Sequence, residues 1–327
     1  MTLVSRESDA AACIWREPAE LAPAWSALAE KRQPPSIFLT PEWIAVARAH
    51  EPSQPITLSV DDRGIAALAR EADGTITFAG GQLTDEQDVV AAPGDETEVA
   101  LSVARWIASQ RPPRVRLEFV PEARPTLAAF DGVLAGAGYR VTRARQTASP
   151  VLDLPDMYED YVQSLGKKQR HELRRKVRRI ETAGAARFRV ASDAERATVL
   201  DRFFALHRLS RGEKAGFMTD DVERLFRDIA DALAPLGRLR LGVLSFDGTD
   251  AAVLFGVALG RVIALYNAAY DPGLASLSVG VVSHAWAIRE AIASGYTTYD
   301  LLRGDEPYKY DLGARDRWLA RLDAERS

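Results

Sequence analysis

One order of secondary-structure signals runs twice along the 327-residue chain. That repetition constrains the fold more than any single segment does. In the first half, Ala11–Trp15 reads as a short strand, and Glu20–Lys31 and Pro41–Ala49 read as helices. Thr40 before Pro41 is a cap followed by proline at the first helical position. Ile56–Val60, Ile65–Arg70 and Thr75–Ala79 alternate as strands, with turns at Asp61–Gly64 and Asp73-Gly74. A helix over Glu96–Ser109, a strand over Arg114–Val120, a helix over Pro125–Ala137 and strands over Tyr139–Arg145 and Val151–Leu154 follow. The second half begins with a strand, Arg187–Ala191, and helices over Asp193–Ser210 and Asp220–Leu233. Strands over Arg238–Phe246, Ala251–Leu259 and Val262–Ala269 form a meander. It ends with a helix over Val279–Ser294, a strand over Thr298–Leu302, a helical turn near Glu306–Asp311 and a strand over Trp318–Leu322. Each half reads β-α-α-β-β-β-α-β-α-β, with no residue-level repeat behind it. Two domains of class α/β (α+β) are expected, with mixed, largely antiparallel sheets flanked by helices.

Composition narrows the function. Hydrophobic residues make up 47% of the chain and charged residues 27%, enough for buried cores in both halves. The one cysteine, Cys13, cannot form an internal disulfide and is read as core. The four histidines, His50, His171, His207 and His284, have no ligand spacing among them, so no metal is expected. Met1–Trp15 carries no signal-peptide pattern, and no run of about 18 apolar residues occurs. A cytoplasmic protein is expected.

Charge is unevenly spread. Lys167–Arg179 reads KKQRHELRRKVRR, a net +7; the whole chain carries −4, which leaves −11 elsewhere. Met157–Thr182 reads as one long helix with an apolar stripe of Tyr161, Leu165, Leu173, Val177 and Ile180. The boundaries expected are 1–155 for the N-terminal copy, 156–184 for the basic connecting helix and 185–327 for the C-terminal copy. The basic surface is open to three readings: a solvated face, a site for an anionic donor or acceptor, or a nucleic-acid or membrane contact. Arg170 and Arg174, one turn apart, are the best anion-binding pair.

The doubled element order is that of the GNAT acyltransferase fold. Two tandem GNAT-like domains are therefore expected, the first of them degenerate. In that fold, the turn after the fourth strand holds the coenzyme A pyrophosphate at a helix start, where unpaired N–H groups and the helix dipole favour an anion. In the C-terminal copy this turn reads Asp271-Pro272-Gly273-Leu274-Ala275-Ser276-Leu277-Ser278-Val279-Gly280, with no acid after Asp271. Ser276, Leu277, Ser278, Val279 and Gly280 are the candidate cofactor residues, and Asn267 on the preceding strand is a candidate for the pantetheine amides. The N-terminal copy has Asp85, Glu86, Asp88, Asp95 and Glu96 over the corresponding stretch. Those five carboxylates are expected to repel a pyrophosphate.

Two further segments carry a narrower resemblance. Tyr161–Arg179 resembles the opening signature of a bacterial family associated with cellulose and exopolysaccharide clusters, the CelD-type acetyltransferases. At the other end, a glycine (Gly295) and a short strand ending in Asp300 precede Leu302-Arg303-Gly304-Asp305-Glu306-Pro307-Tyr308-Lys309, which matches that family's L-R-G-x-E-x-Y-K. The resemblance runs from about Tyr158 to the C-terminus. It is more distantly similar to Fem-type peptidyltransferases, which transfer an amino acid from charged tRNA.

The resemblance implies transfer of an acyl group, acetyl or other, from acyl-CoA to an amine or hydroxyl of a small molecule or sugar. It leaves aminoacyl-tRNA as an alternative donor, and a non-catalytic GNAT-fold binding protein as a third reading. Direct attack on a thioester needs orientation, a proton acceptor and oxyanion stabilisation, and no covalent nucleophile. The candidate catalytic residues are Asp300, Glu306, Tyr308, Lys309 and His207, with Arg303 as a substrate-binding cation. Tyr308 is a candidate acid for the departing thiolate. Each has a structural counterpart: Asp300 paired with Arg303 or Lys309, Glu306 paired with Arg303, and His207 and Tyr308 as packing residues. No carboxylate lies on Ala264–Tyr270, where many GNAT enzymes place their base.

Overall fold

Apolar alternation and tight turns build mixed strand ladders in the computed structural model, which describes residues 13–209 and 216–326. The chain divides into two units, Met1–Gln146 with Trp318–Ser327, and Thr147–Arg317. The strand expected at Ala11 and Ala12, the expected end of the first helix of the second copy at Ser210, and the side chain of Cys13 fall outside the described residues. Among the described residues, no helix is long and apolar enough to cross a membrane.

In the first unit, β1 (Cys13–Trp15) is followed by α1 (Pro18–Lys31) and α2 (Pro41–His50). The Thr40 side chain accepts the Trp43 N–H, as a capping threonine should. Strands β2 (Gln54–Val60), β3 (Gly64–Arg70) and β4 (Ile76–Phe78) form the meander, and β5 (Val90–Ala91) adds to β3. Then come α3 (Glu96–Gln110), β6 (Arg114–Pro121), α4 (Thr126–Gly136) and β7 (Tyr139–Asp153), which carries the chain into the second unit. Strand neighbours in this sheet are antiparallel except β4 and β6, which run parallel at Ile76 and Val115. One apolar core lies beneath α3 and α4.

In the second unit, α5 (Tyr158–Ser164) and α6 (Lys167–Ala183) precede β8 (Ala186–Val190) and the helices α7 (Arg196–Leu209) and α8 (Asp220–Leu233). Then come β9 (Leu239–Phe246), β10 (Thr249–Leu259), β11 (Val262–Tyr270), α9 (Val279–Ala293), β12 (Thr298–Asp300), α10 (Pro307–Asp311) and β13 (Arg315–Arg326). The sheet order within this unit is β8-β9-β10-β11-β12, closed by the end of β7. Again one pair, β11 with β12, is parallel. The two units thus repeat one plan, as the doubled element order predicts.

Three details differ from the expectation. The expected long helix is two helices, because Leu165 is extended (ψ 147°) and Gly166 follows it. Arg170 Nη1 then donates to the carbonyl of Gln163 at 2.9 Å, which the break leaves without a helical partner. The stripe is nevertheless the buried one: Tyr161, Leu165, Leu173 and Ile180 are all buried. The last strand, expected to finish the C-terminal copy, pairs from Leu319 to Glu325 antiparallel to β6. Its Leu322 and Ala324 are buried in the first unit's core, and the two units divide within the strands β7 and β13. Periodicity shows that a segment is a strand; it does not choose the strand's partner.

Candidate functional site

The site begins where β12 ends. Its three residues pair with the start of β11, Val262 with Thr298 through Ala264 with Asp300. Beyond Ala264, β11 runs on to Tyr270 with β10 as its remaining ladder partner among the described residues. A wedge therefore opens between two parallel strands, with one edge of the β11 backbone facing it. Ligands in α/β sheets collect at such carboxyl ends, where neighbouring strands part. A register shift between Phe255 and Gly256, opposite Asn267 and Leu265, adds a bulge to β11 at this point.

Asp300 turns the chain away from β11. Its carboxylate accepts the Leu302 N–H at 2.8 Å and an Arg317 N–H at 2.7 Å. Leu302 adopts a left-handed conformation, φ 60°, which is uncommon for a branched side chain. Arg317 also donates to Ser149 Oγ at 3.2 Å. A partner of Asp300 is thus Arg317, where the sequence suggested Arg303 or Lys309. No local spacing pointed to it, 17 residues downstream.

Lys309 fastens the following loop. Its ammonium, 3% exposed, donates to the carbonyls of Leu302 (2.9 Å), Arg303 (2.7 Å) and Gly304 (3.1 Å) and pairs with Glu306 at 3.0 Å. Three protons meet four acceptors, so the charge is consumed within the loop. Glu306 pairs with Lys309, and Arg303 is half-buried.

Tyr308 follows on α10. Burial, and then the Glu306 carboxylate, push its hydroxyl up to about 12, so it keeps its proton at neutral pH. Its ring stacks on His284 of α9, with centroids 5.0 Å apart and 18° between planes. His284 is buried, and burial first, then the Lys309 charge, lower its pKa to about 4. Sequence reasoning passed over His284; a single histidine in the apolar run Gly280–Ile288 gives no signal.

His207 and Asn267 meet, α7 against β11. Asn267 Oδ1 accepts the Ala268 N–H at 2.7 Å, which identifies that atom as the oxygen, because an N–H can only donate. The same oxygen lies 2.8 Å from His207 Nε2, so Nε2 carries a proton and donates it. The ring packs edge-on against Phe203 at 4.7 Å. Nε2 is therefore a committed donor and does not serve as a base, while Asn267 has its oxygen fully occupied.

The start of α9 lies at the same end of the sheet. Asp271 accepts the Gly273 N–H at 2.8 Å, and Ser278 is left-handed (φ 58°) before the helix. Val282 is the first residue whose N–H reaches a carbonyl at helical spacing, that of Ser278. The N–H groups of Val279, Gly280 and Val281 precede that ladder. The first turn carries no acid. Gly280 is small for a reason: a Cβ there would sit 3.1 Å from the Tyr270 ring. Arg179, at the far end of α6, donates to the Ser276 carbonyl at 2.9 Å. Arg170 donates to the carbonyls of Gln163 and Leu165, and Arg174 pairs with Glu159 at 2.6 Å. They line an open groove of about 550 Å³ with Lys167, Lys168, His171 and Glu172.

The expected repulsion in the N-terminal unit needs correcting. Glu86 and Asp88 are buried and paired with Arg32 at 2.8 and 3.1 Å, and Asp88 also with Arg124 at 2.9 Å. Asp95, Glu96 and Glu98 stand at the start of α3, where Glu96 accepts the Gly94 N–H at 2.9 Å.

This is the tandem GNAT plan: in each unit, strands with one parallel pair in an otherwise largely antiparallel ladder, flanked by helices. Residues 167–310, within the second unit, match the acetyltransferase (GNAT) domain model. Over whole chains, the structure is similar to FemX at TM-score 0.68 and 13% identity, covering 95% of this chain and 96% of that one. It is similar to the C-terminal domain of an Agrobacterium fabrum protein assigned as a lysylphosphatidylglycerol synthetase, at TM-score 0.59 and 13% identity, covering 95% and 92%. A tandem GNAT protein from the clavulanic acid biosynthesis pathway aligns at TM-score 0.51 and 12% identity, covering 95% and 97%. No curated protein matches the sequence.

Proposed function

We propose that the C-terminal unit transfers an acyl group, acetyl in the simplest case, from an acyl-CoA to an amine or hydroxyl of a small molecule or sugar. The observation that carries this is the wedge between β11 and β12, which opens at the same end of the sheet as the acid-free start of α9. The amides of Val279, Gly280 and Val281 fit a pyrophosphate, with Ser276, Leu277 and Ser278 shaping the turn before them. The exposed backbone edge of β11 fits an amide-containing arm and offers N–H donors for a thioester oxyanion. The protonated Tyr308 hydroxyl is available to the departing thiolate. Glu306, with a side chain 57% exposed, is the carboxylate nearest that hydroxyl in sequence and the candidate acceptor of the attacking group's proton. Asp300 and Lys309 hold the loop, and Asn267 with His207 holds the bulge.

Thermal unfolding with acetyl-CoA tests this reading. Saturation at 100 times the dissociation constant adds about 2.7 kcal/mol. The gain should vanish in Gly280→Glu, which sets a carboxylate among the free amides. No gain in the wild type at millimolar acetyl-CoA overturns the reading.

An aminoacyl-tRNA donor is the second reading, favoured by the exposed Lys167, Lys168 and Arg178 of α6, which have no ion-pair partner among the described residues. No aromatic side chain is interleaved with them, so any contact is to phosphates and should weaken steeply with salt. Retained tRNA affinity in Lys167→Glu/Lys168→Glu counts against it.

A further inference from the structure

His284 is a polar group that the fold buries without satisfying. The residue is 7% exposed, and its Nδ1 has no hydrogen-bond partner. The nearby Ser283 does not compete for it, since its hydroxyl donates to the Gly280 carbonyl at 2.7 Å. Buried polar atoms left unpaired are rare and point to a missing partner.

The position of the ring says what partner it would meet. His284 stands in the second turn of α9, three to five residues from the free amides. Its face lies on Tyr308, at the end of the loop that leads away from β12. Because β11 and β12 are parallel, the end of β11, the start of α9 and this loop share one end of the sheet. The imidazole therefore borders the path between the helix start and the wedge. Its low pKa keeps it neutral there, with one N–H and one lone pair. A neutral donor–acceptor suits an amide; it is a poor match for a phosphate, which the helix start already serves.

We infer that His284 Nδ1 is a hydrogen-bond contact for an amide of the pantetheine arm of the donor, a specificity-determining residue distinct from those that receive the pyrophosphate. This rests on the acyl-CoA reading above. Tyr308 is then held against the arm by the same ring that binds it.

Calorimetric titration with two probes tests the assignment: coenzyme A, which has the arm, and ADP, which has the pyrophosphate alone. In His284→Phe, which keeps the stack on Tyr308 and drops both nitrogens, the affinity for coenzyme A should fall about three- to tenfold, the worth of one neutral hydrogen bond. Affinity for ADP should not change. In the wild type, the ring nitrogen signals of His284, assigned among four histidines, should shift on adding coenzyme A and not on adding ADP. That second measurement needs no folded variant. Equal losses for both probes, or no loss for either with silent ring signals, overturn the His284 assignment. Failure of the wild type to bind either probe overturns the reading beneath it as well.

Discussion

Replacing Lys309 with methionine is the sharpest test of what organises the site. The buried ammonium satisfies the carbonyls of Leu302, Arg303 and Gly304, and only its fourth partner, Glu306, is well exposed. Methionine fills much the same volume and satisfies none of them. A buried group left unpaired costs about 1–3 kcal/mol. Glu306 turns to water and adds little. If one or two of the three carbonyls stay dry, the loss is about 1–6 kcal/mol. At about 2–4 °C per kcal/mol, the melting temperature should fall by roughly 2–24 °C. Urea unfolding followed by circular dichroism reads the same loss as a lower midpoint at unchanged slope. Lys309→Arg should recover part of it, because a guanidinium can reach some of the carbonyls. A Lys309→Met protein within about 0.5 kcal/mol of wild type would refute the loop-fastening argument. If that protein were also inactive, the ammonium would have to act on substrate.

Three further outcomes follow from the same structure. Asp300→Ala should cost about 3–5 kcal/mol, because it strands the Arg317 guanidinium and the Leu302 N–H, while Asp300→Asn keeps an acceptor and should cost clearly less; chemical denaturation orders the two. His284 should make stability pH-dependent: its folded pKa near 4 lies below the unfolded value near 6.5, so the unfolded chain binds the extra proton between them. Stability is then full above about pH 6.5 and falls toward pH 4, by up to about 3 kcal/mol, and His284→Phe should flatten that slope in melts across the window. Asn267→Leu should free the Ala268 N–H and the His207 Nε2–H together, and amide hydrogen exchange at Ala268 should quicken more than at Leu254 opposite it.

Much of this fold is legible because periodicity and turn chemistry are local. Gly248 and Gly260 mark the hairpins of the C-terminal meander, and Thr40, Thr219 and Ser192 mark helix starts. The contents of the loop from Leu301 to Lys309 are legible too, as a run of charged residues and glycine. Its wiring is not. Lys309 reaches backward to carbonyls, which every sequence possesses, and Asp300 pairs with an arginine on another strand. His284 announces nothing until Tyr308 is set against it. The break at Gly166 was missed because a continuous apolar stripe runs through it, and the stripe survives the break. Arg170, read as a ligand for an anion, serves the carbonyls that the break exposes.

The two units meet the same electrostatic problem at corresponding helices and answer it differently. A helix start gathers unpaired N–H groups and partial positive charge, and something must face them. At α3 the protein supplies its own anions, Asp95 and Glu96, and Glu96 takes the Gly94 amide. At α9 no acid stands in the first turn, Ser278 makes no side-chain cap, and Gly280 keeps Cβ bulk off the approach. One helix start faces its own carboxylates; the other leaves its dipole to solvent or to a ligand. A duplicated fold can therefore confine an anion to one helix start by placing acidic residues at the other. Removing them with Asp95→Ser/Glu96→Ser should leave the coenzyme A stoichiometry of the whole chain at one if the remaining features of the C-terminal site, the acid-free turn, the wedge and His284, are also required. A second equivalent of bound coenzyme A in calorimetry would show that charge at the helix start alone decides.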